Sequence, residues 1–220
     1  MVELIRGLSA AAVRANLERV RHELAASGRD AREVEILAAT KYLADDELPV
    51  LAEAGVRLVG ENRAQDLVRR AEAYPDLFTW DFIGALQSRK VRQLLPHVRY
   101  IHSVASDSAL TQLERHGSSS TQVLIEVNVA AESGKSGIAP AQLERFVERC
   151  PVGVVGLMTM APFTEDAEQS RPYFARLRRL AERIGVQQLS MGTSQDYAVA
   201  AQEGATIVRI GSTLYKPSAS

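Results

Sequence analysis

The feature that most restricts the fold is a regular alternation of short apolar stretches with longer segments in which apolar residues recur at helical spacing. Strands that alternate with helices form right-handed crossover units, and such units build a parallel sheet. Eight units are enough for the sheet to close into a barrel, which leaves no exposed edge strand. The predicted strands lie at 34–40, 56–59, 79–83, 99–104, 122–129, 153–158, 187–191 and 206–210.

The segments between the strands predict seven helices, and one more helix stands before the first strand. That first helix, 8–26, has Ser9 as its N-cap candidate and ends at Gly28. A doubly wound open sheet would place a glycine-rich turn after its first strand, but this chain has Lys-Tyr-Leu there, at 41–43. We therefore predict that the α/β chain, residues 1–220, folds as a single-domain (β/α)8 TIM-like barrel preceded by an N-terminal helix. The seven helices are predicted at 45–54, 62–73, 88–95, 106–115, 140–149, 166–184 and 195–203.

Composition and charge exclude several classes of partner. The 220 residues carry a net charge of −1, with Lys and Arg spread along the chain, so no surface for nucleic acid is indicated. No apolar stretch approaches the ~20 residues that a membrane helix needs. The N-terminus has no signal-peptide core, and we expect a cytoplasmic protein. The single cysteine, Cys150, excludes an internal disulfide, and the histidines show no metal-ligand spacing, so no metal site is predicted.

Polar residues and glycines follow most of the predicted strands, on the side of a barrel where active sites form. The first strand ends at Lys41. We expect its ammonium group to be partly desolvated, which lowers the pKa of a lysine and makes it a nucleophile toward carbonyls. The alternative is a lysine that lies along the surface with its ammonium in water, which is the commoner fate of this residue type.

Two loops near the C-terminus carry the pattern of a phosphate site. Residues 192–194, Gly-Thr-Ser, lead into a helix, and residues 211–213, Gly-Ser-Thr, follow the last strand. Glycine lets the backbone approach a ligand closely, and hydroxyls together with free N–H groups bind anions. In barrels, the loops after strands seven and eight commonly bind phosphate. Ordinary helix N-caps would explain either loop alone, whereas the two loops together favour phosphate.

A nucleophilic lysine and a phosphate site on one rim suggest a ligand that bears both a carbonyl and a phosphate, such as pyridoxal phosphate or a sugar-phosphate aldehyde. Arg209 interrupts the last apolar strand, so it either points into the barrel mouth or pairs with a buried carboxylate. An arginine that faced a pyridine nitrogen would keep this nitrogen unprotonated and make the cofactor a weaker electron sink. A structural salt bridge explains Arg209 equally well from its spacing alone.

Seven motifs occur in order along the chain: AATK (38–41), GENRAQ (60–65), WDFIGALQSRK (80–90), NVAAESGKSGI (128–138), VVGLMTM (154–160), LSMGTSQD (189–196) and VRIGSTLY (208–215). Together they resemble the pyridoxal phosphate homeostasis proteins, the YggS-like or PROSC group, which are single-domain relatives of the barrel half of bacterial alanine racemase. The resemblance runs from the first strand to the last. GEN-x-x-Q with FIG-x-LQ is specific to this family, and the order of all seven motifs is more specific still.

The resemblance implies that pyridoxal 5'-phosphate is carried as an internal aldimine on Lys41. Arg209 would face the pyridine nitrogen, Asn62 would lie beside the ring, and the loops at Ser194 and at 211–213 would hold the phosphate. The pocket wall would be the strand segment at 190–191. The implied cofactor-binding residues are Lys41, Asn62, Ser190, Met191, Ser194, Arg209, Gly211, Ser212 and Thr213.

Three residues depart from the family pattern. Asp81 stands where the family usually has His, Arg89 where it has Asn, and Thr193 where Met is frequent. Asp81 and Arg89 alter the family motif around the third predicted strand, and Thr193 adds a hydroxyl beside the phosphate loop.

Three functions fit these residues. The first is a non-enzymatic protein that holds or passes on pyridoxal phosphate, with apo pyridoxal-phosphate enzymes as candidate recipients, and a monomer is expected because no second domain is recognised. The alternative is a fold-type III amino-acid racemase, whose second base would have to be Tyr215, His102 or Lys135, all poor candidates. A Schiff-base aldolase acting on a sugar phosphate shares the barrel, lysine and phosphate loops, but commonly places its lysine on a later strand.

Overall fold

Each apolar stretch forms one strand of a closed barrel in the computed structural model, which describes residues 4–28 and 30–216. Within these residues the strands are β1 (Glu35–Ala39), β2 (Leu58–Glu61), β3 (Thr79–Phe82), β4 (Tyr100–Val104), β5 (Gln122–Glu126), β6 (Gly153–Met158), β7 (Gln188–Thr193) and β8 (Ile207–Ile210). All neighbours are parallel, and β8 returns to β1 with Glu35 opposite Ile207. The predicted fold, an α/β TIM-like barrel preceded by a helix, is confirmed.

Helices alternate with the strands and pack around the barrel. The first begins as predicted, because the Ser9 side chain accepts a hydrogen bond from the N–H of Ala12. The longest crossover helix ends at Gly185, whose φ of 75° lies in the left-handed region that glycine adopts without strain. The helices are α1 (Ala10–Ala26), α2 (Leu48–Glu53), α3 (Ala64–Ala73), α4 (Val91–Leu94), α5 (Asp107–His116), α6 (Leu143–Glu148), α7 (Arg171–Ile184), α8 (Tyr197–Gln202) and α9 (Ser212–Tyr215). Short 3-10 turns lead into β1, α2, α4, α6 and α7, at Ala31–Glu33, Asp45–Glu47, Ser88–Lys90, Pro140–Gln142 and Ala167–Ser170.

Alternation along the strands divides the apolar side chains into two groups, because neighbouring residues of a strand point to opposite faces. One group faces the helices and belongs to the main core, as Val59 and Ile101 do. The other group faces the barrel interior, where Leu37, Leu58 and Ile207 form a separate buried cluster. The interior of this barrel is therefore filled with side chains and is not a pore.

The observed bounds match the predicted ones only for β6, and the other strands differ by one to three residues at an end. The sequence predicts a second strand at 56–59, but the strand begins at Leu58. Gly55, with φ 93°, closes the preceding helix, and the N–H of Val56 donates back to a carbonyl of α2 rather than to a strand. The seventh strand runs on to Thr193, and the helical turn α9 forms in the segment after β8, where the sequence predicts no helix.

The described residues form one closed barrel. No helix within 4–28 and 30–216 is both long enough and apolar enough to cross a membrane. The predicted domain, 1–220, also includes residues 1–3, 29 and 217–220, which lie outside the described part of the chain. Its boundaries stay a prediction.

Candidate functional site

The chain leaves β1 in a tight turn that carries Lys41. The N–H of Leu43 donates to the carbonyl of Thr40 at 2.9 Å and so closes the turn. Arg70, which comes from α3, donates from Nη1 to the carbonyl of Thr40 at 3.1 Å and from Nη2 to the carbonyl of Leu43 at 2.6 Å. One buried guanidinium therefore holds both ends of the turn and sets the course of the backbone at Lys41.

Arg70 is neutralised by a buried carboxylate at the end of β2. Glu61 forms an ion pair with Arg70, accepts from the Thr40 hydroxyl at 2.6 Å and accepts from the N–H of Asn62 at 3.1 Å. Burial raises the pKa of Glu61 above its ordinary value, although the charge of Arg70 and the hydrogen bond from Thr40 oppose this shift. The Glu of the GEN motif thus links the turn after β1 to the turn after β2.

The side chain of Lys41 does not match the burial that the sequence predicts. It is exposed, and its Nζ lies 4.6 Å from the centre of the Tyr42 ring. The expected partial desolvation is wrong because β1 ends at Ala39 and the turn carries Lys41 away from the buried strand. Lys41 also lines a surface depression of about 430 Å³ beside Arg63 and Asp66.

The two predicted phosphate loops are in contact. Ser194, after β7, accepts hydrogen bonds at its Oγ from the N–H of Gly211 at 3.2 Å and from the N–H of Thr213 at 3.5 Å. Ser212, between these two residues, is exposed. A hydroxyl and two backbone N–H groups that converge in this way are the kind of donor set that binds a phosphate oxygen.

The added hydroxyl of Thr193 is engaged within its own loop. Its Oγ1 donates to Asp196 Oδ1 at 3.1 Å, and its N–H donates to the same oxygen at 2.7 Å. Gly192 precedes it with φ 89°, and a Cβ at this position would lie 2.6 Å from the Cβ of Ala200. The glycine is therefore required for the loop to pass over α8, and Thr193 stabilises the turn through Asp196.

Arg209 lies in the barrel interior, two residues beyond Ile207 on the same face of β8, and is 7% exposed. Its Nη1 donates to the Ser190 carbonyl at 2.8 Å and to Ser190 Oγ at 2.6 Å, while Nη2 donates to the Thr159 carbonyl at 2.8 Å and contacts Met160 Sδ at 3.0 Å. Burial lowers the pKa of Arg209 to about 10, against the opposing charges of nearby carboxylates. It remains a cation at neutral pH. Among the described residues, none accepts a hydrogen bond from its Nε.

Ser190 extends the contacts of Arg209 into a buried polar series that the sequence did not predict. His102 Nδ1 lies 2.9 Å from Ser190 Oγ, and His102 Nε2 lies 3.0 Å from Asp81 Oδ2. Asp81 also accepts from Arg99, at 3.1 Å from Nε and 2.7 Å from Nη2. On the sequence alone, His102 is named only as a poor candidate base, and these two partners are not identified. Asp81 and His102 both occupy polar positions on the interior faces of their strands, and that pattern could have indicated the pairing.

Burial and pairing act in opposite directions on these two titratable groups. Burial alone would raise the pKa of Asp81, but the hydrogen bonds and charges of His102 and Arg99 outweigh it and hold that pKa below its ordinary value. Burial lowers the pKa of His102, although Asp81 opposes this, and the positive charges of Arg209 and Arg99 lower it further. The pair is therefore a carboxylate and a neutral imidazole near neutral pH.

Asn62 and Met191 are two further predicted residues, and both are at least partly buried. Asn62 Oδ1 is buried and has no hydrogen-bond partner among the described residues. Gly84 packs against this residue so closely that a Cβ on Gly84 would lie 2.0 Å from the Asn62 carbonyl oxygen. Met191 belongs to the main core, and its side chain faces the helices because Ser190, beside it, faces the interior. Met191 can border the mouth of the barrel only through its backbone.

The structure thus joins the predicted residues into two contacting groups. Ser190 and Arg209 form one, and Ser194, Gly211 and Thr213 form the other. Ser212 lies between Gly211 and Thr213 in the second group but presents its side chain to solvent. Among the described residues, Lys41 and Asn62, after β1 and β2, make no side-chain hydrogen bond to either group. Lys135, on the loop after β5, is exposed and pairs with Glu132 at 2.7 Å, and Arg89 donates to Gln87 on the surface.

Comparison with known proteins identifies close relatives. No protein-family model matches the chain. The pyridoxal phosphate homeostasis protein of Aquifex aeolicus is 37% identical over 213 residues, which span 90% of this chain and 93% of that protein. The structure of PipY from Synechococcus elongatus with PLP bound is 29% identical, covers 93% of this chain and 100% of that one, and has a TM-score of 0.78. An alanine racemase of Clostridium difficile, 12% identical, covers 97% of this chain and 58% of that one with a TM-score of 0.72, which shows a shared fold alone.

Proposed function

Since the chain belongs to the pyridoxal phosphate homeostasis protein family, we propose that it binds pyridoxal 5'-phosphate through Lys41 and holds or passes on this cofactor without catalysing a reaction of its own. The observation that carries the proposal is the contact between the last two rim loops. There the hydroxyl of Ser194 meets the N–H groups of Gly211 and Thr213, on the same rim as Lys41. A ligand with a phosphate at one end and an aldehyde at the other suits this arrangement.

The donors on the rim fit the phosphate group. Gly211 and Thr213 direct their N–H groups toward one point, which the Ser194 hydroxyl occupies. A phosphate oxygen would accept from the same N–H groups, and the hydroxyl would then turn to donate to it. Ser212 adds a further backbone N–H and a hydroxyl on the exposed side of the loop.

The interior groups fit the pyridine ring. Arg209 has donors only, so its free Nε can donate to an unprotonated ring nitrogen. Its other two nitrogens are already bound to Ser190, Thr159 and Met160, which leaves the guanidinium little freedom to turn. The unpartnered Oδ1 of Asn62 offers an acceptor beside the ring. Ser190 and Met191 would border the ring, the latter through its main chain.

Lys41 supplies the amine. Its Nζ would hold the cofactor through an imine, formed with loss of one water, and the cofactor would supply the electrophilic aldehyde. The ammonium is held by its contact with the Tyr42 ring at 4.6 Å. At an exposed site such a contact is worth only about 0.5–1 kcal/mol. The long, flexible lysine stem can therefore redirect the amine at small cost.

The non-enzymatic assignment is supported by the state of the three groups that could act as the second base of a racemase. His102 is fully buried and hydrogen-bonded at both ring nitrogens. Tyr215 donates to the Ala39 carbonyl at 3.1 Å, and burial raises its pKa. Lys135 is exposed and paired with Glu132. Each of these groups would have to give up its present partner or surroundings to take a substrate proton.

The visible spectrum of the purified protein tests the proposal. We expect a band of a lysine imine that borohydride abolishes, and one added cofactor mass on the peptide that contains Lys41. The Lys41→Ala variant should lose both signals. Lys135→Ala, which removes an exposed rim lysine, is the matched control and should keep both. A Lys41→Ala protein that retained the band and the covalent label would refute the assignment.

Two measurements separate the alternatives. Incubation with L-alanine in heavy water should give no enzyme-like uptake of deuterium at the α-carbon, whereas a racemase would show it. A colourless protein that traps only a sugar-phosphate carbonyl would instead indicate an aldolase.

We also propose that the protein is a monomer, which light scattering tests. We propose apo pyridoxal-phosphate enzymes as recipients, and the transfer of labelled cofactor from this protein to such an enzyme tests this.

A further inference from the structure

The buried series from Arg209 to Asp81 has a single arrangement of hydrogens that satisfies every member. Arginine has donors only, so Ser190 Oγ must accept from Arg209 at 2.6 Å. The Asp81 carboxylate has acceptors only, so the hydrogen between it and His102 sits on Nε2. A neutral imidazole then offers Nδ1 as an acceptor, and the Ser190 hydroxyl must donate to it. Every hydrogen in the series therefore points away from Arg209 and toward Asp81.

The series crosses the barrel interior. His102 lies on β4 and Ser190 on β7, and these strands are not neighbours in the closed ring, so the two side chains can meet only through the interior. Asp81, His102 and Ser190 are all buried, with exposures of 0%.

A serine, a histidine and an aspartate in series also resemble a hydrolase triad, but the surroundings of Ser190 oppose that function. A nucleophilic hydroxyl must reach substrate and needs an adjacent site for an oxyanion. Ser190 is fully buried, and its oxygen already accepts from Arg209. Ser190 therefore acts as a link: it accepts a hydrogen bond from Arg209 and donates one to His102.

Resting on the function proposed above, we propose that Asp81 and His102 are positioning residues for Arg209. By fixing the tautomer of His102, Asp81 makes the Ser190 hydroxyl donate to the imidazole, so that both lone pairs of its oxygen are left for Arg209 Nη1 and none is taken by a hydrogen on His102 Nδ1. The guanidinium is then anchored on one side and presents Nε to the ring nitrogen of the cofactor. Neither residue touches the cofactor, and both act through Ser190.

The outer end of the series explains why Asp81 can impose this direction. Arg99 donates to both carboxylate oxygens, at 3.1 and 2.7 Å, and the N–H of Tyr100 donates to Oδ1 at 3.2 Å. Arg99 is itself held by Glu35 at 2.7 Å. The carboxylate therefore cannot rotate away from His102. Because the donors around Asp81 are fixed, the stable tautomer of His102 is the one with its hydrogen on Nε2.

The Asp81→Asn variant reverses the direction with little change of shape. An Asn oxygen at the Oδ1 position keeps the bonds from Arg99 Nε and Tyr100, and the amide NH2 then faces His102 and Arg99 Nη2. In the opposite orientation the NH2 group would face two donors, Arg99 Nε and the N–H of Tyr100, whereas in the first it faces only one, Arg99 Nη2. The first orientation is therefore favoured. The amide would then donate to His102 Nε2, the imidazole hydrogen would move to Nδ1, and Ser190 could no longer donate to the ring.

Nuclear magnetic resonance of the full chain reads this reversal directly. With isotope-labelled histidine, we expect the His102 hydrogen on Nε2 in the native chain and on Nδ1 in Asp81→Asn, with the signals assigned by their loss in His102→Gln. With nitrogen-labelled pyridoxal phosphate, we expect the ring-nitrogen signal to move toward the protonated position in Asp81→Asn. The dissociation constant of the cofactor should rise about tenfold.

Two further variants keep the proposal falsifiable if Asp81→Asn folds poorly. Ser190→Ala removes the link and should shift the ring-nitrogen signal while His102 keeps its hydrogen on Nε2. Glu203→Gln loses an ion pair to Arg171 outside the barrel, and this control should change neither signal. The proposal is overturned if native His102 carries its hydrogen on Nδ1, or if Ser190→Ala leaves the ring nitrogen unchanged. Because the tautomer is measured without cofactor, a chain that binds no pyridoxal phosphate would refute the proposed function separately.

Discussion

Arg70 and Glu61 form an ion pair behind the turn that carries Lys41, and their side chains are 4% and 1% exposed. The pair ties α3 to the end of β2, and the same guanidinium holds the carbonyls of Thr40 and Leu43. The backbone at the proposed Schiff-base lysine is therefore positioned by a helix that lies about 30 residues further along the chain. Loss of this support should affect both stability and cofactor attachment.

Substitution Arg70→Met should lower the free energy of unfolding by about 3–5 kcal/mol, because it leaves the Glu61 carboxylate buried without its partner. Urea denaturation measures this loss. The double variant Arg70→Met/Glu61→Gln should recover part of the stability, since the unpaired charge is gone. Arg69→Met is the matched control: its side chain is 52% exposed, and its surface ion pairs should contribute only about 1 kcal/mol or less. An Arg70→Met protein as stable as this control would contradict the account.

Substitution Gly84→Ala should be severely destabilising, by about 3 kcal/mol, at the upper end of the usual cost of overpacking. The added Cβ would lie 2.0 Å from the carbonyl oxygen of Asn62, so the backbone of one strand end must move. Gly55→Ala provides the comparison, because it meets no atom within 4 Å and only its φ of 93° is strained. That strain costs about 1–2 kcal/mol. Thermal unfolding should therefore give a lower midpoint for Gly84→Ala than for Gly55→Ala. The reverse order would contradict the close approach of Gly84 to the Asn62 carbonyl.

Substitution Ser194→Ala should weaken the binding of pyridoxal phosphate about tenfold, because one hydrogen bond to the phosphate is lost. The affinity for pyridoxal, which lacks the phosphate, should be unchanged, and this ligand is the control. Fluorescence or absorbance titration of both ligands gives the two constants. Equal losses for pyridoxal and pyridoxal phosphate would mean that Ser194 does not contact the phosphate.

The stability of the protein should fall as the pH drops below the ordinary pKa of histidine, 6.5, partly through His102. Burial lowers the pKa of His102 in the folded chain, with Asp81 opposing and Arg209 and Arg99 adding to the shift. Between 6.5 and that lower value the unfolded chain binds more protons than the folded chain, so the free energy of unfolding decreases with falling pH. One such group contributes at most about 1.4 kcal/mol per pH unit.

Urea denaturation at several pH values tests this dependence. The His102→Gln variant lacks the contribution, so the stability difference between it and the native chain should shrink as the pH falls from about 7 to about 5. His116→Gln, at an exposed position on α5, should instead run parallel to the native chain. Parallel curves for His102→Gln and the native chain would show that His102 titrates normally.

Much of the molecule follows from local patterns in the sequence. The alternation of strands and helices, the N-cap at Ser9 and the polar residues after most strands depend on neighbouring residues only, and they predict the barrel and its functional rim. The motif order assigned the family. Even the contact between Ser194 and the last loop was predictable, because loops after adjacent parallel strands meet at the same edge.

Only the tertiary structure decided which groups face each other across the barrel. The sequence shows that Asp81, His102, Ser190 and Arg209 are polar residues in apolar strands, but closure of the sheet is what brings strands separated by up to 88 residues within hydrogen-bond distance. The tertiary structure also decided that Lys41 is exposed. The end of β1 at Ala39 and the hydrogen bond from Arg70 to the Leu43 carbonyl set where the turn leaves the strand. Local sequence determines backbone conformation and facing, whereas the partners of a buried polar group depend on contacts between distant segments, which no short-range pattern encodes.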